Sequence, residues 1–277
     1  MTMRVSAVLS TFRRAESLRR CLDSLRSQTR RPEQIVIIDA AGEDAVRALA
    51  DSLRGDFKEV LYFHFPSSLT QARNHGIRSS SGDIVVFIDD DLVLEPEFIQ
   101  ELVSPLERDP GLAGVTGNII GHPRGSEPFK QALKRFFMLP CDGDGRFRLS
   151  GAPTVPHGAA KPMDVEFLPG GLTAWRREVF SEFLFDESLP GLGINEDVDF
   201  SYRVSRKWRN FYTPKARCLH ERPSLEREAR WNYLAREYSS AWHLFKKNQP
   251  KDPLHSAAFL WQCVGLGVRF AFRRLGR

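Results

Sequence analysis

The sequence predicts an α/β protein with a largely parallel, doubly wound sheet, followed by a C-terminal helical extension. Over the first 106 residues, short apolar runs alternate with segments in which apolar residues recur at helical spacing. This alternation is typical of parallel strands joined by crossover helices, which cover both faces of the sheet. A chain of 277 residues is long enough to bury a complete core around such a sheet.

The first part of the chain contains four predicted strands and four predicted helices. Apolar runs predict the strands at residues 4–10, 34–39, 59–65 and 83–89. Helical periodicity predicts the helices at residues 18–25, 46–53, 68–80 and 96–106. Ligands of doubly wound sheets bind beyond the carboxyl ends of the strands. Asp39 and the run Asp89–Asp91 follow two of these strands, so we expect them to share one cleft.

The three adjacent carboxylates Asp89, Asp90 and Asp91 are the most informative motif. Because they repel one another, a strand that ends in them usually holds a cation, or the metal of a bound polyanion. The same run also fits the motif of haloacid-dehalogenase-like phosphatases, in which the first Asp is a nucleophile. That motif usually follows the first strand, whereas here it follows the fourth.

The middle of the chain departs from this regular alternation. Residues 118–165 are rich in Gly and Pro, with one short helix-like stretch at residues 127–140 and no clear strand. Gly170 and Gly171 would let the backbone approach a ligand closely, and the residues that follow look helical. This part of the sequence predicts a long excursion before regular structure returns.

Two further elements carry polar side chains that could act chemically. Residues 193–208 predict a helix whose first turn contains Glu196 and Asp197, where the helix dipole favours carboxylates. The following segment predicts a strand or extended stretch that ends at His220.

The last fifty residues predict helices with many aromatic and apolar side chains. Residues 253–277 contain an apolar stretch from Ala257 to Val268, followed by several Arg residues. A dozen apolar residues are too few to cross a bilayer, which needs about 20. A helix of this kind can instead lie in the membrane interface, or it can pack on the domain.

Composition excludes some classes of protein and partner. The formal charge of +5 is small and no nucleic-acid-reading motif is present, so no nucleic-acid partner is predicted. The four cysteines form no paired motif, which fits a reducing compartment. The first residues contain an apolar run shorter than the core of a signal peptide. We therefore expect a cytoplasmic protein that can lie peripherally on the inner face of the membrane.

A series of segments, taken in chain order, carries a family resemblance. The segments are SAVLSTFRRAESLRRCLDSLRSQT, EQIVIID, LTQARNHGIRSSSGDIVVFIDDD, FLPGGLTAWRREVF, NEDVDFSYRV and PKARCLH. Together they resemble the family 2 glycosyltransferases, which have the GT-A fold. The resemblance implies a catalytic domain at residues 1–225, with residues 118–165 on the acceptor side, and a helical extension at 226–277. It also implies metal-dependent, inverting transfer of a sugar from a nucleotide-diphosphate donor to a hydroxyl of a glycan or lipid-linked acceptor.

The resemblance assigns a donor and metal site by position. Asp89 and Asp91 match the DxD motif of the family and, with His220, would hold Mn²⁺ or Mg²⁺. Thr11 and Phe12 match residues that flank the nucleobase. Asp39 matches an acidic residue that hydrogen-bonds the base, and a carboxylate that accepts an imide N–H favours UDP or dTDP.

The remaining assigned residues surround the sugar and the reacting hydroxyl. Asp90 and Arg73 would help to bind the donor, and Gly170 and Gly171 would line its sugar. Asp197 would be the base that removes the proton from the acceptor hydroxyl, and Glu196 would bind the acceptor or serve the first turn of its helix. A non-catalytic nucleotide-sugar or membrane-binding module is the alternative, and it would be expected to lack Asp91, Asp197 or His220.

Overall fold

A computed structural model describes residues 2–121, 128–189, 195–221 and 229–275 of the chain. The strands found in these residues are β1 (Val5–Thr11), β2 (Gln34–Asp39), β3 (Glu59–His64), β4 (Ile84–Asp89), β5 (Leu92–Leu94), β6 (Leu112–Ile120), β7 (Cys141–Asp142), β8 (Thr154–Val155), β9 (Met163–Val165), β10 (Leu172–Arg176) and β11 (Arg209–His220). The helices are α1 (Ala15–Arg26), α2 (Asp44–Ser52), α3 (Leu69–Ser79), α4 (Phe98–Arg108), α5 (Pro128–Phe136), α6 (Glu196–Ser205), α7 (Ala229–Asn248) and α8 (Pro253–Leu275).

One large sheet organises the described part of the chain. Its strands follow the order β3-β2-β1-β4-β10-β6-β11-β5, and β9 pairs with β11. The first four strands are parallel, as predicted. The order reverses at β1, which lies between β2 and β4, and ligands of doubly wound sheets bind beyond the carboxyl ends of the strands at such a reversal. Beyond β4 the sheet is mixed, because β10 runs antiparallel to both of its neighbours.

Hydrophobic cores lie on both faces of the sheet. Strands β1, β2 and β4 are covered on both sides, which explains their nearly continuous apolar sequences. One core contains side chains of α1, α2 and α4, and the other contains side chains of α3 and α6. Continuous apolar runs and helical periodicity therefore predicted the parallel strands and the helices between them correctly.

Two predictions of secondary structure are wrong. The residues after Gly171 form strand β10 and then a short 3₁₀ helix, Arg177–Ser181, rather than a longer helix. All five residues of β10 are buried between β4 and β6, so packing on both sides decides their conformation. The region 118–165 also contains strands β7, β8, β9 and the end of β6.

Glycines hid strand β6 from the sequence analysis because they interrupt its apolar pattern. A Cβ atom at Gly114 would lie 2.5 Å from the ring of Trp175, and one at Gly117 would lie 2.4 Å from the carbonyl oxygen of Ala216. Glycine is therefore required where neighbouring side chains and backbone approach β6 closely.

The C-terminal helices are present where the sequence predicts them. Lys247 and Asn248, at the end of α7, each contact the fully buried carboxylate of Asp199 in α6 at 2.9 Å. The predicted domain boundary between residues 225 and 226 lies outside the described residues. Of the helices described, none is long and apolar enough to cross a membrane.

Candidate active site

A cavity of about 420 Å³ opens at the carboxyl ends of β1 and β4. Register places it there, because Ser10 of β1 pairs with Asp89 of β4. Several residues predicted to bind the donor and metal line it: Thr11, Phe12, Asp89–Asp91 and His220. Arg14 and Ser67 are among the lining residues that were not predicted. The ring of Phe12 is 57% exposed, so it can accept a planar ligand against its face.

Asp90 lies at the buried side of this cavity. The hydroxyl of Thr11 donates a hydrogen bond to Asp90 at 2.7 Å, and Arg14 contacts both Asp90 and Asp91 at 3.2 Å. Burial raises the pKa of Asp90 to about 6, although both of these partners oppose the shift. Arg14 thus compensates part of the repulsion between the adjacent carboxylates.

His220 and Asp91 converge on one wall of the cavity. Strand β11 pairs His220 with Leu92, and the backbone N–H of Glu221 donates to the carbonyl of Asp91 at 2.9 Å. These contacts bring Nε2 of His220 to 3.1 Å from a carboxylate oxygen of Asp91. Burial raises the pKa of Asp91, but His220 and Arg14 outweigh this effect and lower it below its ordinary value.

The chemistry of this pair suits a divalent cation. Carboxylate oxygen and imidazole nitrogen are both ligands of Mn²⁺, and the buried Nδ1 of His220 has no hydrogen-bond partner among the described residues. The carboxylate of Asp89 lies instead 3.3 Å from Arg73. In the described residues, no group of three or more His, Cys, Asp or Glu side chains is assembled to hold a metal ion.

Arg73 connects this cavity with the first turn of α6. Helix α3 begins with a capping box formed by Ser68 and Gln71, which fixes the turn that presents Arg73. The buried guanidinium contacts Glu196 at 2.5 Å and Asp89 at 3.3 Å. Burial raises the pKa of Glu196 to about 7, against the attraction of Arg73. Glu196 is therefore better suited to positioning Arg73 than to contacting an acceptor.

Asp197 is the carboxylate beside this ion pair. Its two oxygens accept hydrogen bonds from the backbone N–H groups of Gly170, at 3.1 Å, and Val198, at 2.8 Å. Burial raises the pKa of Asp197 above its ordinary value, although Arg73 and both backbone donors oppose the shift. A carboxylate that is oriented in this way and has a raised pKa is suited to accept a proton.

Gly170 and Gly171 lie so close to the side chains of Arg73 and Asp89 that neither position has room for a Cβ atom. A Cβ atom on Gly171 would lie 1.8 Å from the carboxyl carbon of Asp89. One on Gly170 would lie 2.3 Å from a guanidinium nitrogen of Arg73. The antiparallel direction of β10 brings this pair of glycines to the carboxyl end of β4, where the N–H of Asp89 donates to the carbonyl of Gly171 at 2.9 Å.

The structure does not support the predicted contact of Asp39 with a nucleobase. The side chain of Asp39 is fully buried and does not line the cavity. Its oxygens accept hydrogen bonds from the backbone N–H groups of residues 41–43 and from the hydroxyl of Tyr62. Because these four donors use its acceptor capacity, Asp39 organises the loop after β2 instead.

Arg14 lines the cavity but was not predicted from the sequence. The signal was its place directly after β1, in the sequence Thr11–Arg14, where the loops of this sheet class meet a ligand. Two adjacent basic residues gave no reason to choose between them. The structure separates them, because Arg14 contacts the acidic run whereas Arg13 lies over the ring of Phe12.

Known proteins with the same fold share this arrangement of sheet and helices. A mannosyltransferase from Pyrobaculum calidifontis, solved with GDP-mannose and Mn²⁺, is 18% identical with a TM-score of 0.62 over 98% of this chain and 76% of that one. The structure of GalNAc-T7 with UDP, GalNAc and Mn²⁺ is 20% identical with a TM-score of 0.60 over 79% and 44% of the two chains. The predicted GT-A fold is therefore confirmed.

Sequence comparison identifies the family. A glucosyl-dolichyl phosphate glucuronosyltransferase of Haloferax volcanii is 28% identical over 147 residues, which are 52% of this chain and 47% of that relative. The chain spans less than half the length of the first curated relatives it matches. The family model described as Glycosyl transferase family 2 matches residues 6–184, a range that includes the acidic run, Gly170 and Gly171. This match gives the phosphatase alternative no support. The chain belongs to glycosyl transferase family 2.

Proposed function

We propose that this chain is a metal-dependent, inverting glycosyltransferase that moves a sugar from a nucleoside-diphosphate donor to an acceptor hydroxyl. The observation that carries the proposal is the connection between the cavity and the candidate base. Arg73 contacts Asp89, which lines the cavity, and also Glu196, which directly precedes Asp197. One buried guanidinium thus contacts both a residue of the proposed donor site and the sequence neighbour of the proposed base.

The cavity suits the nucleoside diphosphate part of such a donor. Phe12 offers an exposed ring for the base, and the acidic run with its metal would lie at the diphosphate. The preference for UDP or dTDP depended on Asp39, whose acceptor capacity is already used by four hydrogen bonds. We therefore leave the base of the donor open to experiment.

Asp91 and His220 would hold a divalent cation, and Asp89 would join them if its carboxylate turned from Arg73. Bound Mn²⁺ or Mg²⁺ would neutralise the charge that develops on the leaving diphosphate. The solved neighbours that contain Mn²⁺ support a divalent cofactor. If the cation engages Asp91, Arg14 would lose part of its contact with that carboxylate. Arg14 could then contact a phosphate oxygen of the donor instead.

Asp197 would remove the proton of the acceptor hydroxyl while that oxygen attacks the anomeric carbon. One carboxylate is sufficient for a single in-line displacement, which inverts the configuration at that carbon. The hydrogen bonds from Gly170 and Val198 hold the carboxylate in one orientation during this step.

The acceptor is proposed to be a glycan or a lipid-linked saccharide. The Haloferax volcanii relative, whose name specifies a dolichyl phosphate substrate, supports the lipid-linked class. Peripheral contact with a membrane through residues 253–277, one of the two alternatives that the sequence allows, would bring the chain to such an acceptor.

An Asp197→Asn variant tests the proposed base. Turnover is measured as release of nucleoside diphosphate from a panel of nucleotide sugars with free and lipid-linked saccharides. We expect the variant to lose about 10²-fold or more of its turnover while it still binds the donor nucleotide. Asp164→Asn is the matched control, because Asp164 is 53% exposed and lies outside the site. Preserved turnover in Asp197→Asn would refute the assignment.

A further inference from the structure

Helix α8 is apolar on the side that faces away from the rest of the chain. All exposed residues between 254 and 264 are apolar. Among them, Leu254, Leu260 and Val264 are 62%, 64% and 49% exposed. The opposite side of the helix is also apolar, since Phe259 and Leu266 are buried. A helix that is hydrophobic all round is normally covered all round. The outer side of α8 therefore lacks a partner within the described residues.

Helix α5 extends this apolar side. Phe129 and Phe136, seven residues apart and therefore on one side of the helix, are 77% and 62% exposed. The ring of Phe136 packs at 5.2 Å from the ring of Trp261 on α8, whose indole N–H donates to the carbonyl of Phe136 at 2.7 Å. The two helices thus join their exposed apolar sides. We call this the α5–α8 surface; it consists of Phe129, Phe136, Leu254, Leu260, Trp261 and Val264.

The two helices of this surface carry charges of one sign, although Asp252 precedes α8 and Glu237 of α7 pairs with Arg269. The sequences of α5 and α8 together contain six Lys or Arg residues and no Asp or Glu. Lys130, Lys134 and Arg135 belong to α5, and the other three follow the apolar stretch of α8. Aromatic and aliphatic side chains flanked by cations are typical of helices that lie in the interface of an anionic bilayer. Because α8 is too weakly apolar to cross a bilayer, this mode fits it better than spanning does.

The inner side of α8 leads towards the proposed base. Gln262 and Leu266 line a cavity together with Asn195, the residue directly before Glu196 and Asp197. The diameter of a helix, about 10 Å, therefore separates the α5–α8 surface from the wall that α8 contributes to this cavity. An acceptor whose lipid part lay in the membrane would need to extend its saccharide past α8 and this cavity to reach the proposed base.

We propose that the α5–α8 surface docks on an anionic lipid bilayer and thereby holds the proposed base close to the saccharide of a lipid-linked acceptor. Docking itself requires only the surface and its charges, whereas its use for catalysis rests on the proposed function. Bound in this way, Leu260 and Val264 would lie among acyl chains near the headgroups, and the cations of α5 would lie at the lipid phosphates.

Co-sedimentation of the full chain with vesicles tests the docking. One set of vesicles contains phosphatidylcholine alone, and the other contains equimolar phosphatidylcholine and phosphatidylglycerol. We expect binding to the anionic vesicles that weakens as NaCl is raised, because headgroup attraction is screened. Absence of binding to anionic vesicles at low salt would overturn the proposal.

Two sets of variants separate the apolar and the charged contributions. The double variant Leu260→Gln/Val264→Gln should weaken partition about tenfold or more. The triple variant Lys130→Gln/Lys134→Gln/Arg135→Gln should weaken it about a hundredfold at low salt, since each cation near the surface contributes about 1 kcal/mol.

Matched controls change equivalent residues outside the α5–α8 surface. Leu184→Gln replaces an apolar residue that is 41% exposed, and the triple variant Arg31→Gln/Arg54→Gln/Lys58→Gln removes three exposed cations. Equal losses in the surface and control variants would overturn the proposal. So would a dimer in solution that Leu260→Gln/Val264→Gln dissociates without any change in vesicle binding, because a second copy would then be the partner of this surface.

Nucleotide binding distinguishes failure of this proposal from failure of the proposed function. The Leu260→Gln/Val264→Gln variant should keep the rise in melting temperature that a nucleoside diphosphate and Mn²⁺ produce. Vesicle binding without any nucleotide effect would contradict the transferase but leave the docking surface intact. Nucleotide binding without vesicle binding would contradict the docking surface but leave the proposed transferase intact.

Discussion

Replacing Arg73 by Met would remove the charge that connects the two parts of the site. The side chains of Arg73 and Glu196 are only 4% and 9% exposed, and their charged atoms are 2.5 Å apart. Removing one partner of a buried ion pair costs about 3–5 kcal/mol, because the other charge remains buried without compensation. Since total stabilities are about 5–15 kcal/mol, urea unfolding should detect the loss of Arg73 clearly.

The pH dependence of this loss follows from Glu196. Its folded-state pKa, about 7, lies above its ordinary value, so the carboxyl favours the fold when protonated and loses this contribution as pH rises through about 7. Because Arg73 lowers this pKa, removing it raises the pKa of Glu196 further and extends the pH range over which stability is lost. The free energy of unfolding of Arg73→Met should therefore fall further below that of the wild type at pH 8 than at pH 6. The double variant Arg73→Met/Glu196→Gln should lose about 0.5–3 kcal/mol less than the sum of the single variants.

An exposed ion pair provides the control for this cycle. Arg54 and Asp51 are 67% and 57% exposed, so Arg54→Met should change stability by less than about 1 kcal/mol. The reasoning is refuted if Arg73→Met costs no more than Arg54→Met, or if the cycle is additive within about 0.5 kcal/mol.

Three further predictions concern the cavity and the base. Gly171→Ala should lower turnover about a hundredfold, because the new Cβ would displace the carboxylate of Asp89. Gly55→Ala is the control and should leave turnover unchanged, since no atom lies within 4 Å of its new Cβ. Equal kinetics in both variants would contradict this prediction. Phe12→Ala should weaken nucleotide binding by about 10- to 100-fold in calorimetry if the exposed ring stacks on the base, and unchanged affinity would exclude stacking. As pH is lowered, kcat/KM should begin to fall at a pH above the ordinary pKa of an aspartate, because Asp197 must be ionised to act and burial raises its pKa. A fall that begins only at the ordinary pKa would contradict the assignment of Asp197 as the base.

The sequence was most informative where local pattern and tertiary context agree. Strands β1, β2 and β4 are buried on both faces, so their apolar runs and the periodic helices between them identified the parallel half of the sheet. Strand β6 was missed because Gly114 and Gly117 interrupt its apolar run to accommodate Trp175 and Ala216. Strand β10 was assigned as helical because the sequence does not show which strands it will separate.

Strand ends allowed the sequence to predict which residues would lie close together, but not the direction in which each side chain points. Asp89–Asp91 and His220 reach one cavity because β4 and β11 end there. Asp39 also ends a strand, but its carboxylate turns into its own loop, and a one-dimensional pattern cannot predict that direction. The pairing of Arg73 with Glu196 spans 123 positions of sequence and became visible only in the folded chain.

The binding of nucleoside diphosphates with and without metal tests the central claim most directly. Thermal unfolding would be followed with UDP, dTDP, GDP and CDP, each with Mn²⁺ or with EDTA, because a ligand that binds only the native state raises the midpoint. We predict a rise with at least one nucleotide that requires Mn²⁺ and is lost in Asp91→Ala. No rise with any nucleotide, or an equal rise in EDTA and in Asp91→Ala, would contradict a metal-dependent donor site at the end of β4.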